Sequence, residues 1–314
     1  MNTTDAGVAY VRTPEARFKA LHDYPFAPHY HTVDGLRLHY VDEAASAADE
    51  QPAVVLLMHG EPTWSYLYRR MIPLFSQAGY RTIAPDLIGF GKSDKPVKIN
   101  DYSYQKHVDW MLQWLHDIDL RRIVLLCQDW GSLIGLRLAA AAPHRFERIV
   151  VANGALPTGD EQFPRIFKIW RAFARYSPWF PIDRIVAAGC TSPIGSAARH
   201  AYRAPFPNAK YLAGARAFPR LVPSTPDDPA SEPNRAAWRR LEAWHKPLLT
   251  LFGNRDPITR GMAKVFQQRV PGAQGQPHEW LKPAGHFIQE DQGAQLALKT
   301  IDWLAQLGWD DLSE

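Results

Sequence analysis

Three titratable residues stand just beyond apolar, strand-like runs in this chain: Asp129, Asp256 and His286. Asp129 lies within Leu125-Leu126-Cys127-Gln128-Asp129-Trp130-Gly131-Ser132. There the run Ile123 to Leu126 reads as a buried strand, turns sharply through small residues, and enters an apolar helix from Leu133 to Ala142. That context is a nucleophile elbow, whose tip ordinarily carries serine. Aspartate at the tip forms an ester with its substrate's carbon, which directs the chemistry at saturated carbon rather than at acyl groups. An acid and then a histidine follow, the chain order in which the acid orients the imidazole and the imidazole acts as base. Any one of the three alone carries little, because an Asp after a strand is commonly a helix N-cap. The elbow and the order together single them out.

The elements that must hold these residues alternate between strand and helix. Residues 32–43 read as a hairpin with Asp34-Gly35 at its turn. Val54 to Met58 is an apolar strand entering His59-Gly60-Glu61-Pro62, and a helix is expected from about Trp64 to Ala78. Arg81 to Ala84 is a short strand before a glycine-rich loop, and Ser103 to Asp117 is an amphipathic helix. Strands are expected at Ile123 to Leu126, Arg148 to Ala152, Pro247 to Phe252 and near His278 to Leu281, with a last helix from about Asp291 to Leu307. Such alternation indicates parallel βαβ units, whose ligands bind beyond the carboxyl ends of the strands. Between Leu156 and Pro226 the rhythm breaks into Pro- and aromatic-rich helical patches without a core strand. The expectation is one α/β domain, residues 1–155 and 227–314, interrupted by a helical cap at 156–226.

Composition narrows the class. The chain has 314 residues and 46% hydrophobic content, enough for one large core. No basic start precedes an apolar segment, and no run reaches the roughly 18 apolar residues of a membrane span, so neither a signal peptide nor a membrane partner is expected. Two cysteines, Cys127 and Cys190, are no disulfide framework, and a reducing cytoplasm is the default. Without a Cys/His cluster or HExxH, neither a metal nor a cofactor is expected. Net charge is +4, yet Asp160 to Arg220 holds ten Lys and Arg against three Asp and Glu, which leaves the remainder negative. These cations alternate with Phe, Trp and Pro, the pattern of solvated helix faces rather than of a nucleic-acid tract.

The chain resembles the α/β-hydrolases and, among them, the haloalkane dehalogenases, from about Arg12 to the last helix. The matching motifs are His59-Gly60-Glu61-Pro62-Thr63-Trp64-Ser65-Tyr66, Gly89-Phe90-Gly91-Lys92-Ser93-Asp94-Lys95-Pro96, Gln128-Asp129-Trp130-Gly131, Ala204-Pro205-Phe206-Pro207 and Ala284-Gly285-His286-Phe287. Cys127, and Ser132 where Gly is common, are mild departures. The resemblance implies a mostly parallel eight-stranded sheet flanked by helices with an inserted helical cap. It implies a small haloalkane and water as substrates and halide ion as product, with a monomer as the default. Asp129 would be the nucleophile, His286 the base on water, and Asp256 the acid, since the family's other acid slot carries neutral Asn153. The backbone N–H groups of Glu61 and Trp130 would form the oxyanion hole. Halide needs donors that offer no competing base, and indole N–H is donor-only. Trp130 would supply one. An ionised Glu61 side chain cannot donate, so the second is expected from the cap: Trp170, with Trp179 as the substitute. His59, Asp86 and Asp94 read as shaping loops.

Two other readings share the triad. An epoxide hydrolase would activate its substrate with cap tyrosines, for which Tyr176, Tyr202 and Tyr211 are candidates. Glu61 stands where those enzymes usually carry an aromatic residue. A fluoroacetate dehalogenase would need Arg in place of Trp130. A non-catalytic ligand receptor on a hydrolase fold is the remote alternative.

Overall fold

Unbroken apolar runs build the centre of the sheet. The computed structural model describes residues 1–46 and 52–308. Its main sheet comprises β1 (His29–Val33), β2 (Leu36–Glu43), β3 (Val54–Met58), β4 (Arg81–Pro85), β5 (Ile123–Asp129), β6 (Phe146–Gly154), β7 (Leu248–Gly253) and β8 (Glu279–Leu281). The spatial order is β1-β2-β4-β3-β5-β6-β7-β8, with β2 antiparallel to both its neighbours and every other pair parallel. Strands β3 and β5 pair in register from Val54 opposite Ile123 to Met58 opposite Cys127. Their continuous apolar sequence reflects burial on both faces, as parallel sheets require. The first hairpin turns through Asp34 and Gly35, both at positive φ, as a tight two-residue turn demands.

Around the sheet lie α1 (Ile72–Gln77), α2 (Tyr104–Asp117), α3 (Trp130–Ala141), α8 (Ser231–Leu241), α9 (Met262–Arg269) and α10 (Ile288–Leu307). The elements α4 (Arg165–Tyr176), α5 (Ile182–Ala188), α6 (Ser196–Arg203) and α7 (Ala213–Leu221) stand between β6 and α8, and no strand interrupts them. Ser103 caps α2 by accepting the Lys106 N–H. Helix α8 packs on α3, where Arg137 donates to Asn234 and Trp238 Nε1 donates to the Leu156 carbonyl.

The helix expected over Trp64 to Ala78 is broken into a short 3-10 turn at Ser65–Tyr68 and α1. Pro73 explains the break, because it has no N–H to donate to Arg69 and its ring opposes a continuous helix there. A small antiparallel sheet of Asn2–Thr3, Ala9–Val11 and Lys95–Pro96 was not anticipated; strands of two or three residues carry no readable period.

Candidate active site

The carboxyl ends of β3, β5, β7 and β8 converge on one place. Asp129 ends β5, Asp256 follows β7, and His286 lies between β8 and α10. Asp129 adopts φ +50° and ψ −125°, a conformation that costs a non-glycine residue about 1–3 kcal/mol and persists where neighbours enforce it. The enforcing contacts are visible. Ser132 Oγ donates to the Asp129 carbonyl at 2.6 Å and accepts the Ala155 N–H at 2.8 Å, tying the elbow to the end of β6. A Cβ on Gly60 would lie 2.4 Å from the Asp129 side chain, so only glycine lets the loop after β3 pass this close.

The triad geometry follows. Asp129 Oδ1 accepts the Glu61 N–H at 2.8 Å, while Oδ2 lies 3.4 Å from His286 Nε2. His286 Nδ1 is 3.2 Å from each Asp256 oxygen. Asp256 also accepts from the Ile258 N–H at 2.9 Å and from the Thr259 hydroxyl. Burial works against the Asp256 carboxylate, but His286 and these donors outweigh it and hold its pKa below the usual range. Burial likewise opposes charge on His286, yet Asp256, and then Asp129, push its pKa up to about 10. Asp256 and Asp129 thus favour the protonated form of the imidazole.

Asn153, expected only as an acid slot left neutral, has a definite place. At positive φ, it donates from Nδ2 to the carbonyls of Gly285 at 2.7 Å and His286 at 2.9 Å, and accepts the Gly253 N–H at 2.7 Å. Gln128 Nε2 adds a donor to the His286 carbonyl at 3.2 Å. Both amides hold the histidine loop by its backbone, a role no local pattern announces.

The surroundings of Glu61 oppose the ionised state expected for it. Burial, and then the Asp129 carboxylate, raise its pKa well above the usual range, so the neutral acid is favoured. Its Oε1 is buried without a hydrogen-bond partner among the described residues, and the residue borders the cavity. A neutral carboxyl carries an O–H donor of its own, so the expectation of a cap donor rests on the position of Trp170.

That position is in the cavity wall. A cavity of about 490 Å³ opens over Asp129 and is walled largely by apolar side chains, among them Leu133, Phe167, Ile185, Val222 and Met262. Trp130 and Trp170 border it, and neither indole N–H has a protein acceptor among the described residues. Trp130 is packed between Tyr104 and Phe218, at ring distances of 5.1 and 4.3 Å. Trp179 lies outside this cavity, is 56% exposed and stacks with Arg184. Of the tyrosine candidates, Tyr176 is exposed, Tyr202 is buried with its hydroxyl on Glu290, and Tyr211 sits on a 3-10 turn. No tyrosine borders the cavity among the described residues.

The loop residues keep to loops. Asp86 accepts from the N–H groups of Ser65 and Lys92 and from His39, while Asp94 pairs with Arg12. His59 Nε2 accepts the Leu87 N–H at 3.0 Å. Among the described residues there is no group of three or more His, Cys, Asp or Glu arranged to hold a metal, and no helix is long and apolar enough to cross a membrane.

A sheet of this order, with Asp, Asp and His at its strand ends, defines the α/β-hydrolase class, and the family model for the α/β hydrolase fold matches residues 53–292. A haloalkane dehalogenase of Mycobacterium marinum is 54% identical over 298 residues, spanning 93% of this chain and 99% of its own. One from Psychrobacter cryohalolentis is 50% identical over 299 residues, spanning 94% and 97%. The tetrameric structure of haloalkane dehalogenase DpaA from Paraglaciecola agarilytica NO2 superposes with a TM-score of 0.86 at 34% identity, over 93% of this chain and 97% of that one. This chain belongs to the haloalkane dehalogenases.

Proposed function

We infer that this protein hydrolyses the carbon–halogen bond of small haloalkanes, with water as co-substrate and alcohol, halide and a proton as products. The observation that carries the reading is Asp129 at a strained elbow, facing an apolar cavity bordered by two indoles whose N–H groups have no acceptor among the described residues. Oδ1 is engaged by the Glu61 N–H, which leaves Oδ2 to attack the halogen-bearing carbon in line. The new C–O bond forms as the C–X pair departs with halide, and Trp130 and Trp170 solvate the ion through their N–H groups. Cap residues 156–226 enclose the substrate over the core formed by 1–155 and 227–314.

Water then attacks the carboxyl carbon of the ester. Alkylation has removed the Asp129 charge, one of the two anions that hold the proton on His286, so the imidazole becomes free to act as base. Asp256 keeps Nδ1 protonated and stabilises the imidazolium that forms. The oxyanion develops on Oδ1 against the Glu61 N–H, with the Trp130 N–H as its second donor, each worth roughly 10²–10³ in rate. Collapse expels the alkoxide, which takes the proton from His286. The carboxylic acid left on Asp129 then ionises. Glu61, buried beside the nucleophile, is placed to hydrogen-bond the attacking water.

A halide-release assay over chlorinated, brominated and iodinated C2–C6 alkanes, with styrene oxide alongside, tests the activity. Halide release is expected. Diol formation from the epoxide without halide release from any alkane would overturn the reading.

Halide binding is tested separately. Chloride and bromide are expected to quench tryptophan fluorescence, and Trp130→Phe and Trp170→Phe each to weaken binding about tenfold or more, the scale of one hydrogen bond to a charged group. Unchanged binding in Trp170→Phe would remove Trp170 from the site.

A further inference from the structure

The loop that carries His286 is held from two sides. On one side are the amides of Asn153 and Gln128. On the other is the segment that follows α5. The Gly189 carbonyl accepts the His286 N–H at 2.7 Å and the Phe287 N–H at 3.3 Å. Asp291, in the first turn of α10, joins the same two segments through its carboxylate. It accepts the Gly285 N–H at 2.8 Å and the N–H groups of Thr191 and Ser192, each at 2.9 Å. A Cβ on Gly285 would lie 2.4 Å from the Gly189 carbonyl oxygen, and one on Gly189 2.6 Å from the Phe287 ring. Gly189, Cys190 and Thr191 face Gly285, His286 and Phe287 across this seam, and all six border the substrate cavity.

We propose that Asp291 is a positioning residue that ties the seating of cap residues 189–192 to the placement of His286. The alkyl-enzyme is then hydrolysed at full rate only while that segment is seated. A carboxylate shared by three N–H groups forms charge-assisted bonds, stronger than the neutral contacts around them. A general base must lie within hydrogen-bond reach of its water, and a misplacement near 1 Å costs on the order of 10²-fold. Alkylation needs Asp129 and the halide donors, none of which touches Asp291. The effect therefore falls on one step of two. This deepens the proposed function, because it rests on His286 being the base.

The test is a single-turnover experiment with enzyme in excess over 1,2-dibromoethane, following halide by stopped flow and the adduct by rapid-quench intact mass. Asp291→Asn keeps one acceptor oxygen, and Asp291→Ala keeps none. Ser192→Pro deletes one N–H from an exposed position and serves if the Asp291 variants fail to fold. Alkylation is expected within about twofold of the parent, with adduct decay slowed about tenfold in Asp291→Asn, more in Asp291→Ala and a few-fold in Ser192→Pro. Unchanged decay would overturn the proposal. So would both steps falling together with the fraction of active sites, the signature of a merely structural role. His286→Phe in the same assay separates the two readings. If it decays like the parent, the base assignment fails. If it is blocked while the seam variants decay normally, only the role of Asp291 fails.

Discussion

Replacing His286 by Phe is expected to convert the enzyme into a trap: one halide released per active site, then an alkyl group held on Asp129. The substitution keeps a ring in the loop but removes the imidazole that lies 3.4 Å from the nucleophile's carboxylate. Alkylation requires no proton, because halide is a weak base that leaves as the anion, so the first step continues. Hydrolysis loses general-base catalysis, worth about 10²–10⁴-fold. The structure adds a pH signature. In the resting enzyme Asp256 and Asp129 favour the charged form of His286 against the opposing effect of burial. In the alkyl-enzyme Asp129 is neutral, so the His286 pKa drops below its resting value. Adduct decay in the parent should therefore rise with pH as His286 loses its proton, and the His286→Phe adduct should show no such rise. Intact-mass spectrometry after mixing with 1,2-dibromoethane checks the first part, and decay measured across a pH series checks the second. No adduct, or the same pH profile in both proteins, would count against the assignment.

The second large effect is on Asp129 itself. Asp129→Ala should abolish halide release, by at least about four orders of magnitude, the scale on which losing a nucleophile acts. Its fold should persist, because the Ser132 hydroxyl that holds the strained elbow bonds to the backbone carbonyl of residue 129, which the substitution keeps. Halide quenching of tryptophan fluorescence measures whether the cavity survives, and a halide assay measures turnover. Retained quenching with lost turnover is the expected pair. Residual turnover within tenfold of the parent would mean that water attacks the substrate directly.

What could be read from the sequence has a common physical basis. Asp129 ends a buried apolar strand and Asp256 follows one within a few residues, and a strand that must be buried announces where its polar successor will lie. The strand-free stretch after β6 was legible as the place where that rhythm stops. What escaped depends on contacts distant along the chain. Asn153 and Gln128 act on the backbone of the histidine loop, and Asp291 accepts from backbone N–H groups a hundred residues away. Backbone partners leave no side-chain pattern to find. Glu61 differs in kind: its residue type suggested a charge, whereas burial beside Asp129 raises its pKa and opposes that charge. The break before α1 was readable in principle, since Pro73 stands where the helix restarts.

The central claim is a covalent ester on Asp129, broken by attack of water on the side chain's own carboxyl carbon. A single turnover in ¹⁸O-enriched water tests it most directly, with the peptide containing Asp129 and the alcohol product analysed by mass spectrometry. The account predicts ¹⁸O in the Asp129 carboxylate and an alcohol carrying unlabelled oxygen. Labelled alcohol with an unlabelled Asp129 would contradict it.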